Sequence, residues 1–280
     1  SWSEPWAMSA EKVPLQVPQL GEAEFARLQQ LMLDASGIRL NAHKRTLVAG
    51  RLLRRLRALD LSGYSDYLRL LDQPEQQTER RLVIDLLTTN ETFFFREPQH
   101  FRFLATWLQE QRRPLRVWSA ACSSGEEAYS LAMLLAEHAG HDDWRILATD
   151  LSQRMLEKAR AAIYPLADSH AFPPGWLQRH CLKGVGEQQG LFRIGTALRQ
   201  RISVRELNLM RELPSDVPVC DLIFLRNVLI YFNAADKRAI VARLIERLRP
   251  GGLLFIGHAE SVQGFDLPLK SLAPSILRRQ

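Results

Sequence analysis

The spacing of apolar residues changes character once along this chain, near residue 114. Up to that point it is helical. EAEFARLQQLMLDASG (22–37) repeats its apolar residues near the helical period and stops at Gly37. HKRTLVAGRLLRRLRALDL (43–61) puts Leu52, Leu56 and Leu59 on one face, and Arg51, Arg54 and Arg55 on another with Arg57 adjoining. SGYSDYLRLLDQ (62–73) opens on Ser62, an N-cap residue type, and Pro74 within a polar run marks a break. ERRLVIDLLTTN (79–90) predicts one more helix, and no strand pattern precedes residue 114.

Beyond Pro114 short β-rich runs alternate with amphipathic helices. LRVWSAAC leads through the small-residue turn SSGEE into AYSLAMLLAEHAG. WRILATD leads into SQRMLEKARAAIY, with Ser152 as N-cap. VCDLIFLRN is followed by AADKRAIVARLIERL, and PGGLLFIGHAE adds a turn and a strand. This alternation predicts an α/β fold with a mostly parallel sheet covered by helices on both faces. Residues 166–204 interrupt it. FPPGW is a turn cluster, KGVGEQQG carries three glycines, and LFRIGTALRQRISVREL alternates like short antiparallel strands, so a small inserted β-subdomain is expected there.

Composition narrows the class. The chain has 280 residues, 46% of them hydrophobic and 24% charged, as in a soluble globular protein of one large or two medium domains. No window resembles a membrane span, and the first residues lack the basic-then-apolar pattern of a secretory signal. Residues 1–19 are expected to be disordered or foreign to the native chain, with Met8 a candidate start. Cys122, Cys181 and Cys220 are far apart with no CxxC, and the seven histidines show no ligand spacing. A reducing cytoplasm and no metal are the expectation. The net charge of +6 admits nucleic acid, a membrane surface or an acidic protein as partner. The arginines of 51–57 lack the interleaved aromatics of base stacking, which favours an acidic protein over nucleic acid.

Three polar features fall at carboxyl ends of predicted strands, where open α/β sheets bind ligands: SAACSSGEEAY, Asp150 in ILATD, and FLRNVLIYF. GxGxxG is absent. Glu126 and Glu127 at a helix start repel a pyrophosphate but not a ligand with a positive centre, and either also suits a helix N-terminus on its own account. Asp150 suits a ribose diol, or an N-cap. S-adenosylmethionine has an adenosine, an ammonium and a sulfonium but no phosphate, and it matches this set better than a dinucleotide does.

The segments TTNETFFFREPQHF, VWSAACSSGEEAYS, ATDLS, LRNVLIYF and PGGLLFIGHAES occur in an order that resembles the chemotaxis receptor methyltransferases of the CheR type, across roughly residues 20–275. The resemblance implies a small all-α domain (20–88), a connector and helix contributing to the cofactor site (89–113), and a Rossmann-like S-adenosylmethionine-dependent methyltransferase domain (114–280). It implies methyl esterification of glutamates on chemoreceptor cytoplasmic helices, the adaptation reaction of bacterial chemotaxis, with S-adenosylhomocysteine as product. Carried over by motif, Asn90, Thr92 and Arg96 line the cofactor site together with Glu127. Asp150 holds the ribose, Asn208 and Leu209 flank the adenine, and Leu225, Arg226 and Asn227 close the site. Tyr231 lies near the reacting methyl, and Arg96 and Tyr231 are the orienting groups. Cys122 and Ser124 replace other small residues of the family's turn. Arg51, Arg54, Arg55 and Arg57 are expected to dock an acidic receptor helix bundle. In some members the β-subdomain captures a receptor's C-terminal pentapeptide by strand addition, and KGVGEQQG resembles the loop of those members. Another substrate on the same fold, or a binding module without turnover, are the competing readings. The phenylalanines of NETFFFRE are expected to anchor the connector in the methyltransferase core and so present Arg96.

Overall fold

The structure is a computed structural model that describes residues 1–3, 18–36, 40, 42–88, 92–229 and 232–280. The chain divides into two compact units, Ser9–Glu91 and a larger one made of Ser1–Met8 with Thr92–Gln280.

The smaller unit is helical: α1 (Glu22–Ser36), α2 (Arg45–Ala58), α3 (Tyr64–Leu71) and α4 (Gln77–Thr88). Its core gathers the apolar faces read from the sequence, with Leu52 and Leu56 of α2 buried against Phe25, Met32, Tyr67 and Val83. Ser62 is not the cap of α3. Gly63 holds that position in extended backbone, and the Ser62 hydroxyl instead donates to Asp66 Oδ2 at 3.0 Å. Arg55 points inward. Its Nε and Nη2 donate to the two oxygens of Glu79 at 2.7 and 2.9 Å, and the Tyr67 hydroxyl donates to the same carboxylate at 2.6 Å. Burial alone would raise the Glu79 carboxyl. The bonds from Arg55 and Tyr67 outweigh it and hold it below the usual carboxylate range. Arg51 Nη1 donates to the Leu86 carbonyl at 2.9 Å. Of the four arginines expected to face a partner, Arg55 thus joins an internal ion pair, while Arg54 and Arg57 are exposed.

The larger unit carries α5 (Pro98–Glu110), β2 (Leu115–Ser119), α6 (Glu126–His138), β3 (Trp144–Asp150), α7 (Gln153–Ala161), β7 (Ile202–Glu206), β8 (Cys220–Leu225), α10 (Ala234–Glu246), β9 (Leu248–Ile256), β10 (Leu269–Ala273) and β11 (Ile276–Arg279). The main sheet runs β10-β11-β9-β8-β2-β3-β7. Its β9-to-β7 portion is all parallel, and β11 pairs antiparallel with β9. Alternation within each strand feeds two separate cores. Val117, Leu222, Phe224, Leu253 and Phe255 belong to one, and Trp118, Ile223, Leu225, Leu254 and Ile256 to the other. Both faces are therefore dry, which is why these strands read as unbroken apolar runs.

A second sheet, β1-β5-β6-β4, is built from β1 (Trp2–Ser3), β4 (Ile163–Pro165), β5 (Cys181–Gly184) and β6 (Leu191–Ile194), all antiparallel. The short helices α8 (Trp176–His180) and α9 (Thr196–Arg199) lie along its chain path. Four details differ from the sequence reading. Ile202–Glu206 is not an antiparallel strand of the insert but the parallel edge strand of the main sheet, hydrogen-bonded to β3. The small sheet begins at Ile163, before residue 166. Trp2–Ser3 is ordered as a strand within the segment expected to be disordered; residues 4–17 lie outside the described ones. β9 begins at Leu248, ahead of Pro-Gly-Gly, and a register shift between Cys220 and Leu222 of β8 accommodates the turn residues.

Candidate active site

The main sheet adds β3 and β7 on one side of β2, and β8 and β9 on the other. The order reverses between β2 and β8, and the crevice at their carboxyl ends is the place where such sheets bind ligands. The turn that leaves β2 is tied to the end of β3. Trp118 Nε1 donates to Thr149 Oγ1 at 2.9 Å, and the Cys122 amide to the Thr149 carbonyl at 2.8 Å. The Asp150 carboxylate accepts the amides of Ser123 (2.9 Å) and Ser152 (3.0 Å), one on each oxygen. A carboxylate offers about four acceptor positions, so each oxygen retains capacity for one more donor. A vicinal diol matches that capacity. Gly125, with φ +102°, ends the turn: a Cβ there would come within 2.7 Å of the Tyr164 hydroxyl and 3.2 Å of the Ala159 Cα.

Beside this crevice lies a buried polar cluster that spans the switch point. Arg226, directly after β8, sits with only 2% of its side chain exposed. Its Nε donates to Glu127 Oε2 at 2.9 Å, and Glu127 Oε1 accepts the Ser119 hydroxyl at 2.7 Å. Arg226 Nη1 donates to the Arg96 carbonyl at 2.7 Å and to His100 Nδ1 at 3.1 Å, with Glu97 Oε2 at 3.5 Å. The guanidinium also lies over the rings of Phe101 and Phe224. Burial, then the Arg226 charge, pushes the His100 imidazole down to about 4, so it is neutral at physiological pH. Ser275 Oγ donates to the Pro274 carbonyl, so it accepts from His100 Nε2 at 2.8 Å. That assigns the proton to Nε2 and leaves Nδ1 as acceptor for Arg226. The 3.2 Å contact of His100 Nδ1 with Glu97 is then no ion pair. Glu97 Oε1 takes the amide and Nδ1 of His258 at 3.1 and 2.9 Å. Burial by itself would raise the Glu97 carboxyl; the His258 bonds and the Arg226 charge outweigh it and leave it lowered.

A second carboxylate fixes the adjoining loop. Glu260 accepts the amides of Asn227 (2.6 Å), Leu229 (2.6 Å) and Gly257 (2.8 Å). It holds Asn227 at φ +62° and joins the ends of β8 and β9. Gly257 has no space for a Cβ, which would fall 2.5 Å from Asn227 Oδ1.

The aromatic triplet anchors this corner, though not with all three rings. Phe94 meets Tyr164 and Phe172 edge-on, each with ring centroids 4.9 Å apart, and Phe95 packs on Phe101, Phe172 and Trp176. Phe93 is 40% exposed and lies beneath the Arg96 guanidinium at 5.7 Å. The Phe95 amide donates to Ser130 Oγ of α6 at 3.0 Å. Phe95 and Glu97 both adopt positive φ, 56° and 58°. Left-handed backbone at such side chains costs about 1–3 kcal/mol each and persists only where surrounding contacts fix it.

Two carboxylates of this region keep one oxygen without a hydrogen bond: Glu97 Oε2, which has the Arg226 cation at 3.5 Å, and Glu126 Oε1. Glu126 is buried, and its Oε2 accepts the Ser124 hydroxyl at 2.8 Å. Burial pushes its carboxyl up to about 7, against the Ser124 bond. A raised folded-state value means that the folded protein holds a proton which the unfolded chain releases. The contribution is fully present below the ordinary value of 4.5 and is lost as pH rises through about 7. At about 1.4 kcal/mol per unit its full size is roughly 3 kcal/mol. Glu126→Gln is therefore expected to gain several degrees of melting temperature over the parent between about pH 5 and pH 8. Parallel melting-versus-pH curves for the two proteins would contradict the assignment.

The crevice thus brings together Glu127, Asp150, Arg226 and Asn227, with Thr92 and Arg96 half-buried on the connector. Asn208, after β7, closes its own turn by accepting the Met210 amide at 2.9 Å. Leu209 packs against the second core, and its carbonyl accepts from Arg243. The Leu225 side chain is fully buried in that core, so only its backbone can face a ligand. Asn90 and Tyr231 lie outside the described residues. Sequence reasoning missed Glu97, His100, His258 and Glu260 as members of the site. Glu97 and His100 stand inside TTNETFFFREPQHF, and His258 and Glu260 inside PGGLLFIGHAES, so the signal was their place within motifs already singled out.

The donor set decides which ligand fits. Around the switch point stand carboxylates and amides, and Arg226 is already neutralised by Glu127 and Glu97. Among the described residues of this site no cluster of cations faces a phosphate, whereas a diol with an ammonium and a sulfonium is well matched. S-adenosylmethionine fits these residues.

Comparison with known proteins agrees. Residues 90–274 match the family described as "CheR methyltransferase, SAM binding domain", and residues 23–88 match "CheR methyltransferase, all-alpha domain". The chain is 41% identical over 244 residues to the chemotaxis protein methyltransferase of Salmonella typhimurium, covering 86% of this chain and 85% of that protein. It is equally similar, at 41%, to the Escherichia coli protein of the same name, with the same coverage. Chemotaxis protein methyltransferase 2 of Pseudomonas aeruginosa is 39% identical over 243 residues, covering 85% and 86%. With a helical unit, a parallel sheet with an antiparallel hairpin at one edge, a small second sheet and a phosphate-averse crevice at the switch point, this chain belongs to the CheR methyltransferase family.

Proposed function

We propose that this protein is a protein-glutamate O-methyltransferase that esterifies glutamate side chains on the cytoplasmic helices of chemoreceptors. The observation that carries the reading is the crevice itself: a half-buried Asp150 with acceptor capacity for a diol, beside a neutralised Arg226–Glu127 pair, in a chain of this family.

S-adenosylmethionine supplies the methyl group from a sulfonium and leaves as S-adenosylhomocysteine. A glutamate with an ordinary pKa near 4.3 is already the nucleophile at neutral pH, so the protein provides no general base. Its work is to hold two oppositely charged groups in line and away from water. Asp150 accepts the ribose hydroxyls. Asn208 and Leu209 border the adenine, and Asn90, Thr92 and Glu127 bound the amino-acid end of the cofactor. The backbone of Leu225 with Arg226 and Asn227 forms the opposite wall. Arg226 acts through position, since its charge is spent on Glu127 and Glu97 while its Nη1 bond fixes the Arg96 carbonyl. Arg96 and Tyr231 orient the incoming carboxylate.

Arg54 and Arg57 supply positive charge for an acidic helix bundle, with Arg51 beside them; Arg55 is excluded by its Glu79 pair. Arg54→Glu with Arg57→Glu is expected to raise KM for receptor several-fold, most at low salt, and to leave cofactor affinity unchanged. An unchanged KM would contradict this docking face. The small sheet is a surface on which a receptor's C-terminal pentapeptide can add a strand, raising the local concentration of substrate. No helix of the described residues is long and apolar enough to cross a membrane, and the enzyme meets its substrate in the cytoplasm without inserting into the bilayer. Nucleic acid is not a partner in this reading.

The test is transfer of tritiated methyl to receptor-containing membranes, with candidate receptor glutamates replaced one at a time by alanine. Label that disappears with particular glutamates supports the reading. Label that persists on a receptor lacking all of them would refute it.

A further inference from the structure

The small sheet has two edges, β4 on one side and β1 on the other, and β1 is formed by the first residues of the chain. Trp2 pairs with Gly184 and Ser3 with Lys183, antiparallel, and the Val185 amide donates to the Ser1 carbonyl at 3.2 Å. Inside this segment β5 pairs with β6. The outer side of β5 is therefore a sheet edge that the chain covers with its own first residues, Ser3 lying 180 positions before its partner Lys183. Edges left open template pairing with other chains, and covering them is a common protection.

Two features make this cover different from a structural strand. A strand of two residues is far shorter than the usual five or six and makes few ladder bonds. It is also the outermost strand, so it can leave without disturbing β5, β6 or β4. Its occupancy then depends on its covalent attachment, which supplies a high effective concentration, more than on its own pairing. Any other extended segment that adds to the same side of β5 must displace it.

We infer that Trp2–Ser3 is a removable occupant of the β5 edge, so that an extended peptide binds the small sheet by exchanging with the chain's own N-terminal strand. This rests on the reading of the small sheet as a strand-accepting surface. The consequence is a built-in threshold: ligands that cannot outcompete the tethered strand do not dock, and the free protein keeps its edge covered.

The experiment compares the 280-residue parent chain with the same chain carrying Trp2→Pro and Ser3→Pro, which removes both backbone N–H groups of β1. Trp2 and Ser3 belong to neither buried core, so these changes are expected to leave the melting temperature and cofactor affinity as they are. Two quantities are read: hydrogen exchange at the Val185 amide, and binding of a synthetic SWSEPW peptide, the chain's residues 1–6, added up to millimolar concentration. The inference expects Val185 exchange to accelerate in the variant, the peptide to bind the variant at least about tenfold tighter than the parent, and bound peptide to restore protection. Equal peptide affinity for both proteins would overturn the inference while leaving the edge as a strand acceptor. Accelerated exchange with no peptide binding to either would show occupancy without exchange. That outcome would overturn both the inference and the strand-accepting reading.

Discussion

Arg226→Met is expected to destabilise the larger unit by about 3–5 kcal/mol, the range for removing one partner of a buried ion pair. The substitution keeps most of the side-chain volume over Phe101 and Phe224 but leaves Glu127 without its 2.9 Å partner and Glu97 without the cation at 3.5 Å. It also frees the Arg96 carbonyl and His100 Nδ1. Adding Glu127→Gln to Arg226→Met is expected to restore part of the loss, since the amide removes one uncompensated charge. A double-mutant cycle by urea unfolding gives the coupling between the two positions. A loss under about 1 kcal/mol for the single variant, with no coupling, would mean that the cluster is wetter and weaker than its geometry indicates.

The second large effect concerns Asp150. Its carboxylate does two things: it fixes the Ser123 and Ser152 amides, and it has capacity left for two hydroxyl donors. Hydrogen bonds to a charged group are worth about 1.5–3 kcal/mol each. Losing two of them in Asp150→Ala is expected to weaken cofactor binding by about a hundredfold or more, at 1.4 kcal/mol per factor of ten. Asp150→Asn keeps one acceptor oxygen and is expected to lose less, on the order of tenfold. Isothermal calorimetry with S-adenosylhomocysteine measures both. Unchanged affinity in the alanine variant would move the ribose elsewhere.

Much of this architecture was legible because its signals are local. Helical spacing in 22–90 and alternating strands and helices beyond 114 gave the two units and their fold class, since each element shows its own period. Asp150 and Glu127 could be placed because a strand end and a helix start are local features. The failures have a common cause in distance. Ile202–Glu206 alternates like any half-buried strand, and nothing in its own residues says whether its partner is β3 or a hairpin neighbour. Arg55 looks like its neighbours in the basic run; only Glu79, 24 positions on, turns it inward. Ser62 and Gly63 are both acceptable caps, and backbone geometry chose the glycine. The polar cluster was the hardest to foresee. Arg226 reaches Glu127 across 99 positions, and His258 reaches Glu97 across 161, so the pairing exists only once β2, β8 and β9 stand side by side. The triplet of phenylalanines was read correctly in kind but not in detail. Two rings hold the connector, while the third supports Arg96 from below.

The central claim is chemical: a methyl group is placed on a carboxylate of a receptor. Receptor-containing membranes incubated with the protein and methyl-labelled S-adenosylmethionine, then exposed to mild base, test it most directly. The account predicts label on the receptor that base releases as volatile methanol, the signature of a methyl ester. Label that resists base, as on nitrogen or sulfur, would contradict it, and so would the absence of transfer by protein that binds the cofactor.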